Sequence, residues 1–142
     1  MAYAQKNYNF IQGINGVYRW AAIGCFGTSI CNLISRAGRD VSPVEFNDHF
    51  VRNNLWRDVD DGHRDDLWWE AITAIEPRIV VSRIVDKGAS NRTAGWPTSN
   101  NAIVRFWYQS KQSGQWITHF ALVHDAKNKT ILDSWDGLVK QN

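Results

Sequence analysis

The chain has few of the residues that cross-link a fold or anchor it in a membrane. Two cysteines, three prolines and one methionine occur among its 142 residues. No apolar run approaches the roughly 18 residues of a membrane span, and the N-terminal segment lacks the continuous apolar core of a signal peptide. We therefore expect that the chain does not insert into a membrane and is made in the cytoplasm without a signal peptide. Action outside the cell would then require another export route.

An excess of charge of one sign is also missing. Sixteen Lys and Arg residues against 14 Asp and Glu residues give a formal net charge of +2, and the basic residues are scattered along the chain. Nucleic-acid-binding domains concentrate basic residues on one face, so nucleic acid is not the expected partner. The length fits one domain over residues 1–142 without internal repeats, which we expect to act as a monomer.

Tryptophan is the residue that the chain has in excess. Eight tryptophans occur, and most are expected in the core because aromatic side chains supply much of the buried area of small domains. Some could instead line a substrate groove, because an indole face stacks on sugars and acyl chains. The sequence does not sort the two groups. The eight residues are Trp20, Trp56, Trp68, Trp69, Trp96, Trp107, Trp116 and Trp135.

Residues 25–38 predict an amphipathic helix with a cysteine in its first turn. The apolar residues recur at intervals of three and four, and Gly38 is placed to cap the C-terminus. A thiol in the first turn faces unpaired backbone N–H groups and the positive end of the helix dipole, which favour the thiolate. Cys25 is therefore a candidate nucleophile, although free cysteines more often fill the core. The apolar positions are Phe26, Ile30, Leu33, Ile34 and Ala37.

The second cysteine of this helix, Cys31, is expected to be core filler. It follows Cys25 by six residues, which is about 9 Å along the helix axis at roughly 1.5 Å per residue and exceeds the reach of a disulfide. The two cysteines are therefore no sign of an oxidising compartment.

The remaining patterns predict further helices followed by an antiparallel sheet. Ser42 as N-cap, with Pro43 in the first helical position, starts the second helix, and Asp65 and Asp66 cap a short third helix. Helices before an antiparallel sheet are an α+β order, and the Cys25 helix should pack on the sheet. The predicted elements are an irregular segment at 1–24, helices at 25–37, 43–54 and 68–75, a loop at 56–66, a polar connection at 86–100, and strands at 78–85, 102–109, 115–124 and 130–135.

Two C-terminal strands carry the partners that a cysteine nucleophile needs. Period-two alternation places His119 on one face of its strand together with Ala121 and Val123, and a hairpin to the next strand could bring Asp133 beside it. A histidine on an apolar face is more often structural. However, an imidazole that takes the thiol proton and a carboxylate that orients the ring complete a nucleophilic triad. We therefore expect Cys25, His119 and Asp133 to form a site.

Four segments resemble one protein family. Residues 24–34 (GCFGTSICNLI) and 38–47 (GRDVSPVEFN) are similar to the Gly-Cys-x-x-Thr-Ser helix and its continuation in papain-fold cysteine peptidases related to the double-glycine leader peptidases. Residues 119–123 (HFALV) and 131–137 (ILDSWDG) resemble that family's His strand and its Asp-Pro-Trp-x-Gly ending. The similarity spans most of the domain and leaves residues 56–100 unmatched.

The resemblance implies a papain-like fold in which Cys25 is the nucleophile, His119 the general base and acid, and Asp133 the orienting residue. The family usually has a glutamine about six residues before the cysteine, which helps to form the oxyanion hole. Arg19 stands at that position here. Gln12 is therefore the expected oxyanion-hole residue if residues 13–24 form an inserted loop. Ser134 replaces the usual proline after the aspartate.

The resemblance also suggests a substrate. Members with this form of the cysteine motif resemble domains of bacteriophage lysins and cell-wall enzymes, so we expect an antimicrobial endolysin-type activity that cleaves peptide bonds of bacterial peptidoglycan after release to the wall. One alternative is a leader peptidase or a protein-modifying enzyme, such as a deamidase or toxin, with the same triad. Another alternative is an inactive peptidase fold kept as a binding module, which Arg19 at the glutamine position favours.

Metal binding is the competing use of cysteine and histidine. The four histidines and two cysteines show no close paired spacing of the kind found in zinc sites. Five aspartates between positions 58 and 66 lack the ligand period and the terminal glutamate of a calcium-binding EF-hand loop. We therefore expect neither a metal nor a cofactor.

Overall fold

The fold joins an N-terminal group of helices to a C-terminal antiparallel sheet. A computed structural model of the chain describes residues 2–58, 64–81 and 96–141. Within these residues, four α-helices and a four-stranded antiparallel sheet confirm the α+β class, and no helix among them is long and apolar enough to cross a membrane. The elements are a 3-10 helix (Gln5–Asn7), α1 (Trp20–Ile23), α2 (Cys25–Arg36), α3 (Pro43–Arg52), β1 (Arg57–Asp58), β2 (Arg64–Asp66), α4 (Ala71–Ile75), β3 (Ile103–Gln109), β4 (Trp116–Asp125), β5 (Thr130–Asp133) and β6 (Val139–Gln141).

The four-stranded sheet has the order β3-β4-β5-β6, so each strand pairs with its neighbour in sequence. The predicted strands at 102–109, 115–124 and 130–135 agree with β3, β4 and β5 to within two residues at each end. Strand β6 has no counterpart among the predicted elements, because three residues are too few to show a period of two.

Local signals fix the end of α2 and the start of α3, as the sequence predicts. Gly38 adopts a φ of +97°, in the left-handed region that favours glycine after a helix. Ser42 accepts the backbone N–H of Glu45 at 3.2 Å and caps α3. Helix α3 ends at Arg52, two residues before the predicted end, and Asn54 then takes a positive φ of 53°.

The buried indole of Trp20 fixes where α2 begins. Its ring lies against the first turn of α2, where a Cβ added at Gly24 or Gly27 would come within 2.6 or 2.4 Å of the ring. Its Nε1–H donates to Oγ1 of Thr28 at 2.9 Å, and both side chains are fully buried. A larger residue at either glycine would therefore displace the indole and the start of the helix with it.

Helix α2 packs on the sheet, as predicted. Phe26 in its first turn stacks on Phe120 of β4, with ring centroids 4.7 Å apart. Leu122 of β4 is fully buried in the same core. At the other end of the helix, Arg36 donates to the backbone oxygen of Val123 at 2.7 Å. Contacts at both ends therefore fix the direction of the helix on β4.

The prediction of a loop at 56–66 is wrong at both ends of the segment. Strands β1 and β2 pair there as a small antiparallel sheet. The N-terminal segment joins this sheet, because Ile14 and Arg64 exchange backbone hydrogen bonds of 2.8 and 3.0 Å. Pairing between such distant segments leaves no local pattern in the sequence. Residues 59–63 lie outside the described residues.

Helix α4 is shorter than predicted and lacks the predicted cap. It begins at Ala71, and its N-cap residue Glu70 makes no side-chain capping hydrogen bond. Asp66 instead accepts the backbone N–H of Leu67 at 3.0 Å, and Asp65 is buried. The predicted cap is wrong because Asp65 and Asp66 both belong to strand β2.

Two predicted segments fall partly outside the described residues. Residues 78–81 of the predicted strand 78–85 are not in a strand. The rest of that strand and most of the predicted polar connection lie in residues 82–95, outside the described part of the chain.

Fewer tryptophans are buried in the core than expected. Trp20 and Trp56 are buried, whereas Trp107, Trp116 and Trp135 are 55%, 62% and 46% exposed. The remaining three are partly buried. Strands β3 and β4 therefore present indole rings to solvent.

Thr28→Val should lower the free energy of unfolding by about 1–3 kcal/mol, because it leaves the buried Nε1–H of Trp20 without an acceptor and keeps the side-chain volume. Urea titration followed by tryptophan fluorescence measures this loss. Thr73→Val is the matched control, since the Thr73 hydroxyl is exposed and its loss should cost less than about 0.5 kcal/mol. Equal losses in both variants would contradict the role of the Trp20–Thr28 hydrogen bond.

Candidate active site

Cys25 stands at the first position of α2 and is partly exposed. Cys31 is fully buried in the same helix, and burial raises the pKa of its thiol well above the usual value. As the first helical residue, Cys25 also has a backbone N–H without a partner inside α2. Of the two cysteines, Cys25 is therefore the one that a substrate can reach.

The register of β4 and β5 brings His119 to Asp133. Ala121 of β4 lies opposite Asp133. His119 is two residues before Ala121 and on the same face, so His119 and Asp133 are diagonal neighbours. Nε2 of His119 lies 2.8 Å from Oδ1 of Asp133, and only 12% and 14% of the two side chains are exposed. The carboxylate therefore binds one of the two ring nitrogens.

The second ring nitrogen is left for Cys25. Cys25 lies close enough to His119 for its hydrogen bonding and charge to raise the pKa of the imidazole. Because Nε2 faces Asp133, Nδ1 is the ring atom that can exchange a proton with the thiol. The structure thus brings the side chains of Cys25 and Asp133 to His119, and these are the three residues that the sequence pattern indicates.

The pKa values of the site follow from these contacts. Burial acts to lower the pKa of His119, but hydrogen bonds and charges of Asp133 and Cys25 raise it to about 9. Burial acts to raise the pKa of Asp133, but hydrogen bonds from His119, Lys140 and the backbone N–H of Trp135 hold it well below its usual range. The imidazole is therefore positively charged beside an ionised carboxylate at neutral pH.

Two residues that the sequence pattern does not indicate hold Asp133 in place. Nζ of Lys140 lies 2.6 Å from Oδ2 of Asp133 and 2.8 Å from Oδ2 of Asp136. The backbone N–H of Trp135 donates to Oδ1 of Asp133 at 2.9 Å. Each carboxylate oxygen of Asp133 therefore has a partner besides His119.

Ser134 and two aromatic rings also contact the imidazole, the serine at the same nitrogen as Asp133. Oγ of Ser134 is buried, lies 3.2 Å from Nε2 of His119 and donates to the backbone oxygen of Phe120 at 2.7 Å. The rings of Phe106 and Tyr108 on β3 meet the imidazole edge to face, with centroids 5.5 and 5.9 Å away. The serine thus adds a hydrogen bond where the resembling family usually has proline.

Gln12 has a different set of partners from the one that the resemblance suggests. The loop after it is short, because the backbone N–H of Gln12 donates to the backbone oxygen of Tyr18 at 3.0 Å. Its buried side-chain Nε2 donates to the backbone oxygen of Asp65 at 2.9 Å. In the described part of the chain, no hydrogen bond joins the Gln12 side chain to Cys25 or His119.

Arg19 occupies the position where the resembling family usually has glutamine. It is exposed, and its guanidinium donates to the backbone oxygen of Asn9. Among the residues that the structure describes, Arg19 has no hydrogen bond to Cys25. The guanidinium therefore faces the N-terminal segment and solvent.

Gln5 is a second buried glutamine, and it is tied to the residues around the site. Its side-chain Nε2 donates to the backbone oxygen of Ala21 at 3.0 Å, one turn before Cys25. Its backbone N–H donates to the backbone oxygen of Ser134 at 2.7 Å. An amide nitrogen carries two N–H groups, and Ala21 takes one. The sequence pattern misses Gln5 because it stands far before the cysteine in the chain.

Comparison with known proteins adds no family to this geometry: no protein-family model, no curated protein and no solved structure matches the chain.

Within residues 2–58, 64–81 and 96–141, no group of three or more His, Cys, Asp or Glu side chains is placed to hold a metal ion. An open cavity of about 470 Å³ lies beside α3 and is lined by none of the triad residues.

The pKa of His119 should fall when either partner is removed. NMR titration of the ring, assigned with His119→Gln, should give a pKa of about 9 in the wild type. It should give lower values in Cys25→Ala and Asp133→Asn, because each substitution removes a hydrogen bond and a charge that raise the pKa. An unchanged pKa in both variants would show that the contacts are absent in solution.

The same shift has a defined effect on stability. The folded pKa of about 9 exceeds the unfolded value of about 6.5. The contacts of His119 therefore stabilise the fold fully below about pH 6.5, and this contribution is lost as the pH rises through about 9. The difference in unfolding free energy between the wild type and Asp133→Asn should accordingly shrink over that interval.

Proposed function

We propose that this chain is a cysteine peptidase with a papain-like fold, in which Cys25 is the nucleophile, His119 the acid and base, and Asp133 the orienting residue. One observation carries the proposal: a cysteine at the start of a helix raises the pKa of an imidazole whose Nε2 lies 2.8 Å from a carboxylate. This is the arrangement that activates a cysteine for attack on amides. The helix start favours the thiolate in addition.

In the first half of the proposed reaction, Cys25 and His119 start as a thiolate and a charged imidazole, and the sulfur adds to the carbonyl carbon of the scissile amide. The C–N bond breaks as Nδ1 gives the proton to the leaving amine, and a thioester forms. In the second half, water adds to the thioester and passes a proton to Nδ1. The C–S bond then breaks, the acid product leaves, and the thiolate of Cys25 remains beside the charged imidazole of His119.

The tetrahedral intermediates of both halves place a negative charge on the former carbonyl oxygen, which needs preorganised donors. The backbone N–H of Cys25 is the first donor. We propose the free amide N–H of Gln5 as the second donor, in place of Gln12. Hydrogen bonds to Ala21 and Ser134 tie Gln5 to both sides of the site, whereas the amide of Gln12 is bonded elsewhere.

The assignment of Gln5 weakens the case for an inactive binding module. That alternative depends on Arg19 standing where the family has glutamine, and Gln5 supplies the same amide from another point of the chain. A leader peptidase or a protein-modifying enzyme with the same triad differs from a wall peptidase in its product. Product analysis therefore separates these alternatives.

We propose the peptide part of bacterial peptidoglycan as the substrate, following the resemblance to bacteriophage lysin domains. Two exposed indoles offer a second contact with the wall. Trp107 and Trp116 are diagonal neighbours, 55% and 62% exposed, on the face of the β3–β4 hairpin opposite to that of His119. Their faces can stack on sugar rings of the wall away from the site.

Incubation with bacterial cell walls should release new amino termini without new reducing sugars, as read by mass spectrometry and a reducing-sugar assay. Cys25→Ala and His119→Ala should abolish the release and keep the fold. Asp133→Asn should leave partial activity, because an amide can still orient the ring. His124→Ala is the matched control, since His124 is exposed on the same strand, and should remain active.

Three outcomes would redirect the proposal. Full activity in His119→Ala would move the base elsewhere. New reducing sugars would indicate cleavage of the glycan. No release from any wall, together with cleavage or deamidation of a protein substrate, would favour the other enzymes with this triad.

Gln5→Ala should lower kcat by about 10²–10³-fold, the usual effect of losing one oxyanion donor, and should change the alkylation rate of Cys25 little. Gln12→Ala is the matched control, because both glutamines are 3% exposed. It should lower the free energy of unfolding and leave kcat unchanged. The reverse pattern would return the oxyanion role to Gln12.

A further inference from the structure

Lys140 is held in the site by two carboxylates, although it takes no step in the proposed reaction. Ile131 of β5 lies opposite Lys140 of β6. Lys140 is therefore diagonal to Asp133 on one side, as His119 is on the other. The three polar residues thus form a row on one face across β4, β5 and β6.

Asp133 needs a partner on its second oxygen. The Cβ–Cγ bond of an aspartate rotates over a broad range, so a carboxylate bonded only through Oδ1 can turn away from His119. Oδ1 faces His119 and accepts the backbone N–H of Trp135. Nζ of Lys140, 2.6 Å from Oδ2, holds the other oxygen. With both oxygens bound, the carboxylate keeps one orientation.

We propose that Lys140 is a positioning residue of the triad, which fixes the carboxylate of Asp133 and, through it, the ring of His119. This inference rests on the proposed function of the triad. Lys140 acts through Asp133 and carries out no proton transfer itself.

Asp136 weakens the electrostatic attraction between Lys140 and Asp133, because it also binds the ammonium group of Lys140. The ammonium group lies between the two carboxylates, 2.6 and 2.8 Å from their oxygens, so its charge is shared. Burial acts to lower the pKa of Lys140, but hydrogen bonds and charges of both aspartates raise it. The ammonium group therefore stays charged while the site works. The titratable groups around Asp133 and His119 are Cys25, Tyr108, Asp136 and Lys140.

The test is the rate at which iodoacetamide alkylates Cys25, which needs no substrate. Lys140→Gln should slow this alkylation about tenfold, because a loosened Asp133 no longer holds the charged imidazole beside the sulfur. Lys140→Arg keeps the cation and should keep most of the rate. Lys127→Gln is the matched control, the same substitution in an exposed turn, and should have no effect.

A double-mutant cycle with Asp133→Asn separates positioning from a merely structural role. If Lys140 acts through the carboxylate, Lys140→Gln should slow alkylation about tenfold in the wild type and not at all in Asp133→Asn. Equal slowing in both backgrounds, or none in either, would overturn the proposal. If Lys140→Gln does not fold, Lys140→Met replaces it in the same cycle: slowing in the wild type that is absent in Asp133→Asn supports the proposal, and equal slowing or none overturns it.

Failure of the proposed function has a different signature. If Cys25 of the wild type reacts as slowly as the buried Cys31, or if His119→Ala leaves its alkylation unchanged, the triad itself is absent. If Cys25 reacts fast in both the wild type and Lys140→Gln, the triad stands and only the assignment of Lys140 fails.

Discussion

The offset between three antiparallel strands is the constraint on which the site depends. Ala121 faces Asp133 and Ile131 faces Lys140, so His119 and the other polar residues meet along the diagonals. A slip of one residue between β4 and β5 would turn one partner to the other face of the sheet. Ala121 and Ile131 oppose such a slip, because it would expose side chains that are 0% and 4% exposed. The apolar residues of the sheet therefore set the geometry of its polar ones.

The start of α2 is set by packing and not by a capping side chain. Gly24, the N-cap residue, has no side chain to accept the first N–H groups, and α2 has no side-chain cap. Gly27 costs about 1 kcal/mol of helix propensity relative to alanine, but it lets the ring of Trp20 lie against the helix. The two glycines thus serve both the buried indole and the open helix end.

Sequence patterns predict those parts of the site that follow a local period. Cys25 in the first turn of α2, and the hairpin that carries His119 and Asp133, both stand out as regular spacings of apolar residues. The places of Lys140 and Gln5 depend on contacts between distant segments instead. Lys140 lies on a strand of three residues, and Gln5 joins the turn after β5 from the other end of the chain. The pairing of β1 with β2 is invisible to local patterns for the same reason.

In the proposed reaction, the pKa of His119 changes because its contact with Cys25 changes. The hydrogen bond and charge of Cys25 contribute to raising the pKa of His119 to about 9. Once the sulfur has added to the carbonyl, it carries neither a proton nor a charge, so this contribution is lost and the pKa falls. The fall helps the imidazolium to protonate the leaving amine at neutral pH. Asp133, ionised and bound to Lys140, contributes throughout and keeps the ring basic enough to take a proton from water. The proposed triad thus combines one contact that changes during the reaction with one that stays constant.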